Sequence, residues 1–235
     1  MIVKKLSDVS GGVFPGARYN EMKVAARVAH LMAMENVSEA LRHNAETLHC
    51  FGLDASVEVE RYLKDYSRTY GNTRTTRFQF HVSASVKGRA MSPEELTDFA
   101  RELMDGMGYA RQPYFVYAHH DTDNNRVHIL STRIKPNGYP ISDHQDRHRP
   151  NECANHILAP DISKDIDRIL GYDYETEGQF ANIVKAHGYK IEKSLDGYHL
   201  FRYGGDAGNI AISDILNRIT KNNPKRKDRA RSSAP

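Results

Sequence analysis

Residues 113–134 constrain the fold more than any other stretch of the chain. Two alternating apolar segments, 113–118 and 127–134, are joined by a polar turn at Asp123-Asn124-Asn125. Alternation at period two marks half-buried strands, and Asp and Asn favour the turn between them. The pair reads as a β-hairpin, which needs a larger sheet to bury its apolar side. His119, His120, Asp121, Asp123 and His128 lie at the strand ends and in the turn. Such a hairpin brings His119 and His128 together across neighbouring strands, half of a divalent-metal site. His119 and His120 are adjacent and point to opposite faces, so only one serves that site while the strand continues.

The remaining elements follow from local pattern. Residues 1–6 read as a short strand, followed by a glycine-rich loop at Gly11, Gly12 and Gly16. Residues 24–34 and 37–48 read as helices, and 57–70 carry apolar or aromatic side chains at helical spacing until Gly71-Asn72. Phe78, Phe80, Val82 and Ala84 alternate with Gln79, His81, Ser83 and Ser85, a strand with one polar face. Ser92-Pro93-Glu94-Glu95 opens a helix with a serine cap, a proline in the first turn and a glutamate placed to close a capping box. The stretch 143–155 is polar and rich in His and Arg, its part 143–149 reads as a solvated loop or a phosphate-facing one, and 161–170 reads as a helix. Beyond it come a helix at 179–186 and short strands at 190–193 and 198–203. This order predicts an α+β fold, a central antiparallel sheet of about five strands flanked by helices, with a small C-terminal α+β appendage. The expected division is 1–170 for the main domain, 171–215 for the appendage and 216–235 for a basic flexible tail.

Composition narrows the function classes. The chain is 39 % hydrophobic and 27 % charged, a soluble globular balance, and no stretch approaches the roughly 20 apolar residues that span a bilayer. No charged-then-apolar leader opens it, and Cys50 and Cys153 stand far apart, so reduced thiols, a cytoplasmic location and no membrane partner are expected. Neither a P-loop nor a glycine-rich dinucleotide fingerprint is present, which leaves nucleotide-cofactor enzymes little support. The net charge of +3 is uneven: residues 221–231 carry +5 and the rest −2. Such a tail acts either as a solubilising end or as a phosphate-seeking arm.

Three blocks, in order, give the chain a family likeness: Ala17-Arg18-Tyr19-Asn20-Glu21-Met22-Lys23, then Phe80-His81-Val82-Ser83-Ala84-Ser85-Val86-Lys87-Gly88, then the hairpin ending Val127-His128-Ile129-Leu130-Ser131-Thr132-Arg133. Across residues 1–150 they resemble the N-terminal nicking domain of mobilisation relaxases of conjugative or mobilisable elements, within the HUH endonuclease group. The stretch from Gln179-Phe180 to Gly188-Tyr189 is similar, less specifically, to the small unit that follows such domains.

The resemblance implies a reaction and a set of roles. A tyrosine attacks a phosphodiester of single-stranded DNA at an origin of transfer, leaving a 5′-phosphotyrosine and a free 3′-hydroxyl. A divalent metal, Mg²⁺ or Mn²⁺, polarises the phosphate, and accessory relaxosome proteins are possible partners. Tyr19 becomes the nucleophile, although on the residues alone it is one of thirteen tyrosines and more readily a packing residue. His119, His128 and Asp123 become metal ligands, and Asp121 a catalytic group. His81, Ser83, Ser85, Lys87, Arg126 and Arg133 become DNA contacts, the first three because they share one strand face.

The chain departs from the pattern it resembles at Arg126, where that family usually offers a histidine two residues before the last one. Period-two geometry sets Arg126 on the face of His128, beside the expected metal, and arginine does not normally ligate metals. Three outcomes stay open: Asp121 or Asp123 completes the site, Arg126 contacts the scissile phosphate, or nicking is impaired. Two other functions compete. One is a single-stranded DNA-binding module with weak or no nicking, and the other a metal-dependent phosphoesterase that uses water.

Overall fold

The computed structural model describes residues 1–6, 9, 11–71, 76–158, 162–195 and 197–222. Of the basic flexible tail expected at 216–235, residues 216–222 are helical and 223–235 lie outside the described residues. The main sheet contains β1 (Ile2–Lys5), β2 (Ala29–Glu35), β3 (Gln79–Ser85), β4 (Tyr114–His119) and β5 (Arg126–Thr132). Its order is β1-β3-β5-β4-β2, and every pairing is antiparallel. The expected hairpin is its centre: β5 sits between β4 and β3, with Tyr117 opposite His128 and His119 opposite Arg126.

Both faces of the sheet are covered, for different reasons. On one face Phe115, Tyr117 and Leu130 are fully buried with Phe14 and Ala17, and with Leu41, Ala45, Val59 and Leu63. These come from helices α1 (Pro15–Ala25), α2 (Glu39–Cys50) and α3 (Ser56–Tyr70) and the residue before α1. On the opposite face Phe80, Val82, Val116, Val127 and Ile129 are fully buried, against α4 (Pro93–Gly106) with Leu96, Phe99, Ala100, Leu103 and Met104. Each such Leu or Phe stabilises the fold by roughly 1.5–3 kcal/mol, so α4 is a principal support of the hairpin. Its capping box forms as the sequence indicates: the Ser92 hydroxyl accepts from the Glu95 N–H, and the Glu95 carboxylate accepts from the Ser92 N–H.

One expectation is corrected. Residues 24–34 are not one helix: α1 ends at Ala25, Arg27 turns the chain with φ 60, and β2 begins at Ala29. The run has good helix formers, but pairing with β4 along the sheet edge overrides that propensity. Residues 143–148 form an irregular, turn-rich segment, and α5 follows it at Arg149–Leu158. Before α5, Asp146 is buried between Lys5 at 3.0 Å and Arg133 at 3.1 Å, tying the polar stretch to the ends of β1 and β5.

The chain divides into two compact units, Met1–Ile157 and Leu158–Pro235. The second holds α6 (Ile162–Gly171), α7 (Glu177–Ala186), a three-stranded antiparallel sheet β6 (Lys190–Lys193), β7 (Gly197–Arg202) and β8 (Gly205–Ala211), and α8 (Ile212–Asn222). Tyr174, Phe180, Val184, Tyr189, Leu200, Ile210 and Ile215 form its own core. No helix among the described residues is long and apolar enough to cross a membrane.

Candidate active site

The site assembles where α1 crosses the sheet. Pro15 starts the helix, with its fixed φ and missing N–H suited to the first turn, and Gly16 lets the helix approach the strands. A Cβ on Gly16 would lie 2.8 Å from His81 Nδ1 and from a Leu130 methyl, and 2.9 Å from Gln79 Oε1, to which the Gly16 N–H donates. Gly16→Ala is therefore expected to push α1 outward, costing about 1–3 kcal/mol. A urea titration checks the cost, and an unchanged midpoint would contradict this close packing.

One turn on, Tyr19 lies 42 % exposed with its ring stacked over two histidines. Its centroid is 5.7 Å from that of His119 and 5.6 Å from that of His128, and His119 and His128 stack on each other at 4.1 Å. The period-two register puts His81 on the same face, and its Nε2 lies 3.3 Å from His128 Nδ1. Three buried imidazoles from three adjacent strands thus meet beneath one exposed phenol.

The next residues of α1 fix this arrangement. Asn20 is fully buried, and its Oδ1 lies 2.9 Å from His119 Nε2, while its Nδ2 donates to Gly16 O and faces His81 Nε2 at 3.4 Å. An amide oxygen only accepts, so His119 carries its proton on Nε2 and turns a bare Nδ1 inward. That Nδ1 is buried with no hydrogen-bond partner. Glu21, also fully buried, accepts from Tyr117 Oη at 2.5 Å and pairs with His49 Nε2 at 2.7 Å. Burial and the Glu21 carboxylate push the Tyr117 hydroxyl well above its ordinary range, so it stays a donor.

Burial also keeps the imidazoles neutral. His81 falls to about 4, with His119 as the second cause, and His119 to about 4, with the Arg126 charge second. His128 falls to about 2, through burial and then its two histidine neighbours. Above pH 6.5 these groups are neutral both folded and unfolded and contribute nothing to pH dependence. Below it the unfolded chain takes up protons that the folded protein refuses, so stability falls from pH 6.5 down to the folded values. The slope is about 1.4 kcal/mol per pH unit per histidine. Denaturation of metal-free protein at pH 7, 6 and 5 checks this, and a flat profile would contradict neutral burial of the cluster.

Charged groups ring the cluster. Asp121, just past β4, accepts from Lys23 Nζ at 2.9 Å and from Arg126 on its other oxygen. The Lys23 hydrogen bond and then Arg126 hold its carboxyl down at about 2. Arg126 shares the face of His119 and His128, and its Nε is buried without a partner. Its charge is thus largely countered by Asp121 instead of standing bare beside the imidazoles.

The other sequence-derived residues spread outward. Ser83 pairs with His128 and Ser85 with Arg126 along β3, and Lys87 is exposed beyond the strand. Asp123 is exposed in the turn between β4 and β5. Arg133 is 3 % exposed, held on Asp146 and the Ile141 carbonyl. His120 leaves on the other side and packs at a tilt against His30. Sequence reasoning missed Asn20, Glu21, Lys23 and His49. Pro15 was the signal: a helix beginning there puts Tyr19 and Lys23 one turn apart.

Among the described residues, no three His, Cys, Asp or Glu side chains stand in a preformed metal cage. The donor chemistry fits a divalent ion nonetheless. Three neutral imidazoles lie together, and the bare Nδ1 of His119 is a buried lone pair with nothing to accept.

Comparison with curated proteins and with solved structures returned no match. Residues 34–159, just over half of the chain, match the family described as relaxase, MobA/VirD2-like, nuclease domain. The match includes His81, His119, Asp121, Arg126 and His128, whereas Tyr19 and Lys23 precede it. A five-stranded antiparallel sheet flanked by helices is consistent with that family, and this chain belongs to the MobA/VirD2-like relaxases, through their nuclease domain.

Proposed function

We propose that this relaxase nicks single-stranded DNA at an origin of transfer with Tyr19 as the nucleophile. The observation that carries the reading is the exposed Tyr19 ring stacked on His119 and His128. Tyr19 Oη attacks the scissile phosphorus and gives up its proton. The P–O3′ bond breaks, and the departing 3′-oxygen is protonated to the free hydroxyl. The 5′-phosphate stays on the tyrosine, which preserves the bond energy for religation.

Relaxases of this family generally use a divalent metal. His81, His119 and His128 would hold it here, and Mg²⁺ or Mn²⁺ so held supplies Lewis-acid stabilisation of the phosphate. The chain's own residues do the positioning. Asn20 orients His119 and His81, and Glu21 with Tyr117 and His49 holds α1 so that the phenol lies over the imidazoles. Ser83, Ser85, Lys87 and Arg126 extend the site along the exposed end of the hairpin, where a DNA backbone would run.

The test is incubation with labelled single-stranded origin DNA and Mn²⁺ or Mg²⁺, followed by a denaturing gel. A covalent protein–DNA band of the wild type supports the reading. Binding without a band favours a DNA-holding module, and cleavage without a band favours water as the nucleophile.

A further inference from the structure

The geometry points to Lys23 as the charge partner of the Tyr19 oxygen, held in place by an Asp121–Arg126 bridge that takes the place of the missing histidine. The inference rests on Tyr19 being the nucleophile. Lys23 follows Tyr19 by one helical turn on α1, and its Nζ lies 5.9 Å over the centre of the Tyr19 ring. A lysine stem is long and flexible, and alone it would hold its ammonium in water. Here the ammonium is pinned, because Asp121 accepts from Lys23 Nζ at 2.9 Å and its second oxygen accepts from Arg126.

Arg126 therefore acts at a distance. It sits on β5 opposite His119, spans the hairpin turn to Asp121, and through Asp121 fixes a cation on the helix that carries the phenol. One carboxylate shared by two cations leaves the trio with a net positive charge next to Tyr19. Asp121 also favours the charged form of Lys23, so the cation persists across the working pH range.

Negative charge moves onto or off the phenol oxygen in both directions of the reaction. In religation the 3′-hydroxyl attacks the phosphotyrosine, the P–Oη bond breaks, and its electron pair stays on the Tyr19 oxygen. The proton from the 3′-hydroxyl reaches that oxygen through solvent. A fixed cation beside the phenol stabilises the charge at that moment, and a preorganised one does so without reorienting.

Lys23→Met is expected to slow single-turnover adduct formation and religation by roughly 10- to 100-fold. Its affinity for the oligonucleotide, read in 0.15 M salt, should change by less than about threefold, as for the loss of one phosphate-independent charge. Lys23→Arg should retain most of the rate. The decisive measurement places 3,5-difluorotyrosine at position 19, a more stable leaving group that needs less help. With it the Lys23→Met deficit should shrink to within about threefold, which a structural or DNA-binding role would not produce. Arg126→Ala should slow the reaction too, and the double variant should be no slower than the slower single one, since both break one chain of contacts. Melting curves of each variant exclude unfolding.

A Lys23→Met protein with wild-type rates overturns the inference. So does a deficit that lies wholly in DNA affinity, one that is equal with both phenols, or additive Lys23 and Arg126 effects. A wild-type protein that forms no adduct at all overturns the nicking reading itself, and the role of Lys23 with it.

Discussion

Tyr19→Phe is expected to abolish the covalent protein–DNA adduct, a loss of roughly 10⁴-fold or more in single-turnover rate, with DNA affinity nearly unchanged. The substitution removes one oxygen and keeps the ring. The stack over His119 and His128 is made by ring faces at 5.7 and 5.6 Å, so Phe occupies the same place. α1 is held by Gly16, Asn20 and Glu21, none of which touches the phenol oxygen through a described hydrogen bond. The variant should therefore melt with the wild type and still bind single-stranded origin DNA. What it loses is the oxygen proposed to stay attached to the 5′-phosphate. If a labelled oligonucleotide is still cut by Tyr19→Phe, water is the attacking group and the protein is a phosphoesterase. If another tyrosine takes over, the adduct persists and a peptide map locates it. Tyr70, Tyr139 and Tyr172 are exposed, and none stacks on the three imidazoles.

The hairpin and the histidine pair were legible from residues 113–134 because alternation and turn chemistry are local signals. The same holds for α4, where Ser92, Pro93 and Glu95 announce the start. The edge strand β2 was not legible. Its residues Ala29, Leu31, Met32, Ala33 and Met34 suit a helix, and only the unpaired edge of β4 makes them a strand. Misplacing that boundary also hid the helix under Tyr19, so Asn20, Glu21 and Lys23 had no assigned faces. His81 was read as a DNA contact because its strand showed only a polar side. Its neighbourhood with His128 depends on β3 lying next to β5, a non-local pairing that no period in the sequence reports. The buried pair of Arg133 and Asp146 was not legible for the same reason, because Lys5 and β1 arrive from the other end of the chain.

The identity of the third metal ligand gives the second large effect. Asp121 is a poor candidate, because ligation would require it to release Lys23 and Arg126 together and leave two cations beside a metal. That leaves His81, already 3.3 Å from His128 across the sheet, and Asp123, exposed in the turn. His81→Gln and His128→Gln should each weaken Mn²⁺ affinity at least about tenfold, whereas Asp123→Asn should change it by less than about twofold. The readout need not be cleavage. Mn²⁺ that binds only the folded protein raises its stability, and a tenfold loss in affinity removes about 1.4 kcal/mol of that gain at saturating metal. Because burial holds all three imidazoles neutral at pH 7, binding displaces no proton from them, and the wild-type affinity should stay nearly flat between pH 6.5 and 8. A steep rise over that range would mean that the ligands titrate near neutrality and are not the buried cluster. Loss of Mn²⁺ stabilisation in Asp123→Asn, with His81→Gln unaffected, would move the site to the turn. Arg126→His then makes the sharpest comparison, since it returns an imidazole to the strand face of His128 and removes the partner of Asp121. If His81 already completes the set, the new imidazole should strengthen Mn²⁺ binding only modestly while nicking slows, because the cation held on Lys23 is no longer fixed.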